Sequence, residues 1–147
     1  LDSINYLTGD DDLGRCLFAV SNYLDPGGVF IFDVNTPYKF EKIFGNNAYI
    51  LEDEGGENAG GVFCSWQNYY DQKSRLCDFY LTIFCEQGDG SYTRSDEEQT
   101  ERCYSLEELR GAIVAARLEF CGVWGDFNFN SPIDDCERWY IAARKPL

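Results

Sequence analysis

A chain of 147 residues with 44% hydrophobic and 16% aromatic content suits one packed domain and argues against disorder. Twelve basic against 26 acidic residues give a formal net charge of −14 with no histidine, which disfavours nucleic-acid backbones and anionic membranes as partners. No apolar run approaches the roughly 20 residues of a membrane span, and no signal peptide opens the chain.

The opening LDSINYL reads as the end of a strand, and together with the absence of methionine it points to a fragment or to missing residues. TGDDD, Thr8 to Asp12, supplies the acidic and capping residues that favour a helix amino terminus. Leu13, Cys16, Leu17, Val20 and Leu24 then recur at helical spacing. DPGG stops that helix, because Pro26 cannot continue it and Gly27 or Gly28 can take a positive φ. VFIF, Val29 to Phe32, is continuously apolar, the pattern of a strand buried on both faces by flanking helices. TPYKFEKIFG predicts a short helix with Pro37 in its first turn and Gly45 near its end.

From Ile50 the character changes. EDEGGENAGG predicts a polar loop, and VFCSWQNYY, LCDFYLTIFCE and SYTRSDEEQTERCY predict a three-stranded antiparallel meander. Its aromatic residues read first as sheet packing, and SDEEQTER as a solvated strand edge. SLEEL sets up a capping box between Ser105 and Glu108, followed by a stripe of Leu106, Leu109, Ile113 and Ala116. EFCGVWGDF and ERWYIAARK close the chain as two strands around a loop containing Pro132. The predicted division is an α/β core over 1–49 and 104–147, with residues 50–103 as an insert on the substrate side.

In open α/β sheets ligands bind beyond the carboxyl ends of strands. Two such ends carry polar residues here: Asp2, Ser3, Asn5 and Tyr6 in the first loop, and Asp33 with Asn35 after VFIF. The plainer reading of Asp33 and Asn35, as Asx caps of the following helix, stands beside this one. Seven cysteines with no CxxC pair and no histidine to join them predict no metal site and read as reduced, mostly buried thiols of a cytoplasmic protein.

LDSINYL, a helix, then YLDPGGVFIFDVNTPYKF, with DEEQTERCYSLEEL downstream, resembles the carboxyl-terminal part of the class I S-adenosylmethionine-dependent methyltransferases, in particular small bacterial members with FDxN after the fifth strand and an inserted meander. The resemblance implies a Rossmann-like sheet ordered 3-2-1-4-5-7-6, of which strands 4, 5, 6 and 7 are expected here, Leu1 ending the fourth. It implies S-adenosyl-L-methionine as cofactor and in-line methyl transfer to a small-molecule acceptor. On that basis Leu1, Asp2 and Ser3 are expected near the cofactor. Asp33, Asn35 and Tyr6 are the expected catalytic residues, and Tyr38, Trp66 and Tyr69 the expected acceptor contacts. The chain departs from the family in lacking any GxGxG loop and in carrying Gln99 where many relatives have histidine. These departures predict an isolated chain that is inactive, binds cofactor poorly and tends to self-associate. Two rival readings are a non-catalytic α/β interaction subunit and a small-ligand or sugar-binding module built on the aromatic meander.

Overall fold

A computed structural model describes residues 1–56, 60–126 and 128–147. Helix α1 (Asp12–Tyr23) buries Leu13, Leu17 and Ser21, spaced four apart so that one face meets the core. The chain then turns at Gly27, whose φ of +79° suits glycine. A Cβ on Gly28 would lie 2.8 Å from the Asp25 carbonyl oxygen, so the turn needs glycine there too.

Strand β1 (Val29–Asn35) follows. It is less enclosed than its sequence suggests. Phe32 and Val34 are buried, but Val29 and Ile31 are 52% and 69% exposed. The physical reason is that Phe30, Phe32 and Val34 share the face that packs on the helical core, while Val29 and Ile31 point to the opposite face. At the opening, Leu1 lies outside any strand, where the end of one was expected, and residues 3–6 form a turn within the expected loop. That turn is fixed by Asn5 N donating to Asp2 O at 2.8 Å and by the Tyr104 hydroxyl donating to the Leu7 carbonyl.

A π-helical turn, Lys39–Phe44, carries Phe40 and Phe44 inward and closes with Gly45 N donating to Phe40 O at 2.9 Å. The insert is one strand larger than predicted. Strands β2 (Ala48–Asp53), β3 (Val62–Asp71), β4 (Leu76–Glu86) and β5 (Tyr92–Arg102) form an antiparallel sheet in that order. The predicted loop from Glu52 thus begins inside a strand, and its residues 57–59 lie outside the described residues.

Helix α2 (Leu106–Ala115) opens with the predicted capping box: the Ser105 side chain accepts from Glu108 N at 3.2 Å, and Ser105 N donates to the Glu108 carboxylate at 2.8 Å. Strands β6 (Glu119–Trp124) and β7 (Arg138–Arg144) complete the first sheet, every neighbouring pair antiparallel.

Two apolar cores result. The larger joins α1, α2 and the three-stranded sheet through Leu17, Val34, Leu109, Ile113 and Ile141. The smaller seats Phe40 and Phe44 on Cys77, Phe79 and Cys103 of the insert. Complete burial of Phe40 contributes on the order of 2 kcal/mol to holding the insert against β1's exit. Among the described residues no helix is long and apolar enough to cross a membrane. All seven cysteines are free: three are buried, three half-buried and Cys121 is exposed.

Candidate functional site

The π-helical turn leads the chain from the end of β1 directly onto the insert, so the last residue of β1 faces the last turn of β5. Asn35 is fully buried there, and its Nδ2 donates to Oε2 of Glu101 at 2.9 Å. The Asn35 backbone N–H donates to Asn5 Oδ1 at 2.9 Å, and Asn5 Nδ2 donates to the Arg102 carbonyl at 2.9 Å. Three separate segments are thereby fixed around one point. Thr36, not Asp33 or Asn35, caps the following turn, since its Oγ1 accepts from Lys39 N at 3.2 Å. That removes the plainer reading of the polar pair.

Asp33 is held differently. It forms an ion pair with Arg138, whose Nη2 also donates to Asp2 at 3.0 Å, while Asp2 N donates to Asp33 Oδ2 at 3.1 Å. Two carboxylates share one guanidinium, which leaves a net negative charge at the rim. Leu1 and Ser3 flank Asp2 and are exposed, Leu1 at 84%.

Between this rim and the insert lies a cleft of ≈220 Å³. Its floor is aromatic: Phe44 packs edge-on against Phe79 at 4.9 Å between centroids, and Trp66 lies 5.9 Å from Phe79. Asp2, Tyr6, Gln99 and Glu101 supply its polar wall, and the Tyr6 hydroxyl donates to Gln99 Oε1 at 2.6 Å. Lys39 also lines the cleft; its ammonium lies over the Phe44 ring and 4.0 Å from Glu137.

Glu101 is the buried carboxyl of this site, 5% exposed. Burial pushes its pKa up to about 7, aided by the Asp2 charge and opposed by the Asn35 hydrogen bond. Burial and the neighbouring Glu101 raise the Tyr6 phenol as well. Among the described residues four buried side-chain polar atoms lack partners: Asn35 Oδ1 and Trp66 Nε1 at this site, and Asn68 Oδ1 and Arg102 Nε.

Of the residues singled out from sequence, Asp2, Tyr6 and Trp66 line this cleft, and Asn35 and Asp33 stand immediately behind it. Tyr38 instead lines a separate groove with Pro37, Leu106 and Trp139. Tyr69 is 53% exposed on the other face of β3 and pairs with Tyr80, because residues 66 and 69 have opposite parity in a strand. Glu101 was the residue hidden in sequence, within the run read as solvated. Glu97 and Glu98 are indeed exposed, whereas Glu101 turns under Asn35. Among the described residues no group of three or more His, Cys, Asp or Glu side chains is placed to hold a metal ion.

No protein-family model matches the chain. A Geobacillus sp. (strain WCH70) protein and YqeM of Bacillus subtilis (strain 168), both bearing provisional methyltransferase names, are 25% and 27% identical over 144 and 146 residues. Each alignment covers 98% of this chain and 56% of the relative, so the chain spans about half the length of the relatives it matches. The crystal structure of an S-adenosylmethionine-dependent methyltransferase from Clostridium acetobutylicum ATCC 824 superposes with a TM-score of 0.88 at 32% identity, covering 100% of this chain and 56% of that one. The CcbJ methyltransferase from Streptomyces caelestis shares the fold at 16% identity, with a TM-score of 0.75 over 100% of this chain and 55% of its own.

Proposed function

Because the chain belongs to the S-adenosylmethionine-dependent methyltransferases, we propose that it takes part in methyl transfer from S-adenosyl-L-methionine to a small-molecule acceptor, contributing the acceptor-side wall of the site. The observation that carries this reading is the meeting of Asn35, at the carboxyl end of β1, with the buried Glu101 beside an aromatic cleft. A strand end that opens on such a cleft is where this class of sheet binds ligands.

The fit of the cofactor rests on the rim. Asp2 and Asp33 outweigh the single Arg138 cation, and the exposed turn of Leu1, Asp2 and Ser3 lies beside them. A positively charged sulfonium suits that balance, so these residues would hold the cofactor's charged end. Bound there, the cofactor supplies a methyl group already activated for displacement. The chain's own residues then have positional work to do. Asn35 orients the Glu101 carboxyl, Tyr6 and Gln99 fix one another at the mouth, and Phe44, Trp66 and Phe79 exclude water from the floor.

The chain has no GxGxG loop to cradle the rest of the cofactor, and on that ground the 147 residues alone are inactive in this reading. The net charge of −14 supports a small acceptor rather than nucleic acid, the exposed Val29 and Ile31 support self-association of the isolated chain, and the free thiols support a reducing cytoplasm. Calorimetry with S-adenosylmethionine on the full protein, followed by mass spectrometry of acceptor mixtures, tests the reading. Full-length protein that binds no cofactor would sink it.

A further inference from the structure

We propose that the acceptor is a small amine entering as its ammonium ion, and that Glu101 anchors this ion and takes its proton. The inference rests on the methyl-transfer reading and deepens it by naming the substrate class.

The cleft offers few groups able to receive a proton. The chain has no histidine. Asp2 is committed to Arg138 at 3.0 Å, and Tyr6 keeps its phenolic proton more tightly than usual and donates it to Gln99. Glu101 remains: its Oε2 accepts from the neutral Asn35 Nδ2, Tyr6 is also in reach, and the Lys39 and Arg138 charges act on it without forming an ion pair among the described residues. Lys39, the one cation lining the cleft, directs its ammonium to Phe44 and Glu137.

A carboxylate set against aromatic faces is the chemistry that receives an organic cation, the rings adding cation–π attraction to the charge pairing. The ≈220 Å³ volume is below that of drug-sized pockets and limits the guest to a small one. The fully buried Asn35 Oδ1, behind the cleft wall beside Glu101, is an acceptor without a donor.

The proton step balances. An N–H bond breaks with its electron pair left on nitrogen, an O–H bond forms on Glu101, and the +1 and −1 charges both become zero. The neutral nitrogen then has the lone pair that methylation requires, and Glu101 returns the proton to water when product leaves. A Glu101 pKa of about 7 stands near enough to an amine's, about 10, for this transfer to be accessible, whereas an alcohol holds its proton far more tightly.

The test uses the full protein with benzylamine and benzyl alcohol as matched probes, titrated by calorimetry at pH 8 with and without S-adenosylmethionine. The expected result is at least about tenfold tighter binding of benzylamine, lost in Glu101→Gln and partly kept in Glu101→Asp. Should Glu101→Gln fail to fold, the wild-type pH series decides: benzylamine affinity falls below pH about 7 as Glu101 takes its proton, and benzyl alcohol affinity stays level. Equal binding of both probes, or an amine preference that survives Glu101→Gln, overturns the proposal. Cofactor binding together with methylation of an oxygen probe overturns the amine while leaving methyl transfer standing. Absence of cofactor binding removes both.

Discussion

Asn35 Nδ2 lies 2.9 Å from Oε2 of Glu101, joining the last residue of β1 to the end of β5, 66 positions away. Asn35 is fully buried and Glu101 only 5% exposed, so the bond is made in a region of low dielectric where its loss is felt strongly. It also ties the two sheets at one point beside the cleft.

Asn35→Ala is expected to cost stability and activity together. It removes the donor to Glu101 and to Asp2, leaving a buried carboxyl without that donor, a loss of about 1–3 kcal/mol. Urea unfolding should show this shift, and methyl transfer by the full protein should drop at least about tenfold if the carboxyl loses its orientation. Wild-type stability and turnover in the variant would mean that the bond is incidental.

The pH dependence has a defined sign. Burial raises Glu101 from about 4.5 to about 7, so between these pH values the folded state holds a proton that the unfolded chain has released. Stability therefore falls as pH rises through this window and levels off above it, by a total of about 3 kcal/mol. Glu101→Gln should be free of this component. Denaturation midpoints of wild type minus variant, measured from pH 4.5 to 8, isolate it from all other carboxylates; a level difference across the window would contradict the buried, uncharged-favouring environment.

The parts of this fold legible in sequence are those with one buried face. α1 and α2 show their stripes, and the Ser105 capping box is local enough to read directly. Strand β2 was not legible because only Tyr49 of its residues is even half-buried, so it carries no alternation and is held instead by its register with β3. β1 read as doubly buried because four consecutive apolar residues do not reveal that two of them face outward. Glu101 was invisible for a different reason. Its burial depends on Asn35 and Asn5, both remote in sequence, and nothing in SDEEQTER marks it off from Glu97 or Glu98. Strand parity did separate Trp66 from Tyr69, and applying it would have placed only the tryptophan at the cleft.

That parity yields a paired prediction. Trp66→Ala removes an aromatic wall that contacts Phe44 and Phe79, and should weaken acceptor binding and lower stability by roughly 3 kcal/mol. Tyr69→Ala, on the exposed face, should alter acceptor affinity less than about twofold and stability by less than about 1 kcal/mol. Thermal melts and acceptor titrations on the two variants check this; equal effects would place Tyr69 on the wrong face.

Arg138 gives the last prediction. It stands between Asp2 and Asp33 and is the only guanidinium contacting either among the described residues, with its side chain 18% exposed. Arg138→Met keeps the apolar stem but leaves two carboxylates facing each other without their shared cation. Partial exposure lets water soften the repulsion, so the expected loss is about 2 kcal/mol rather than the larger cost of a fully buried pair. The turn at residues 1–6 should loosen first, because Asp2 is its link to β7. Hydrogen exchange ought to show faster exchange at Asp2 and Asn5, whose N–H groups donate to Asp33 and Asp2 O, with β3 and β4 unchanged. Adding Asp33→Asn to Arg138→Met removes one of the opposed charges and should restore part of the stability. A double variant no more stable than Arg138→Met would show that packing of the arginine stem, and not the charge balance at the rim, holds this turn against the sheet.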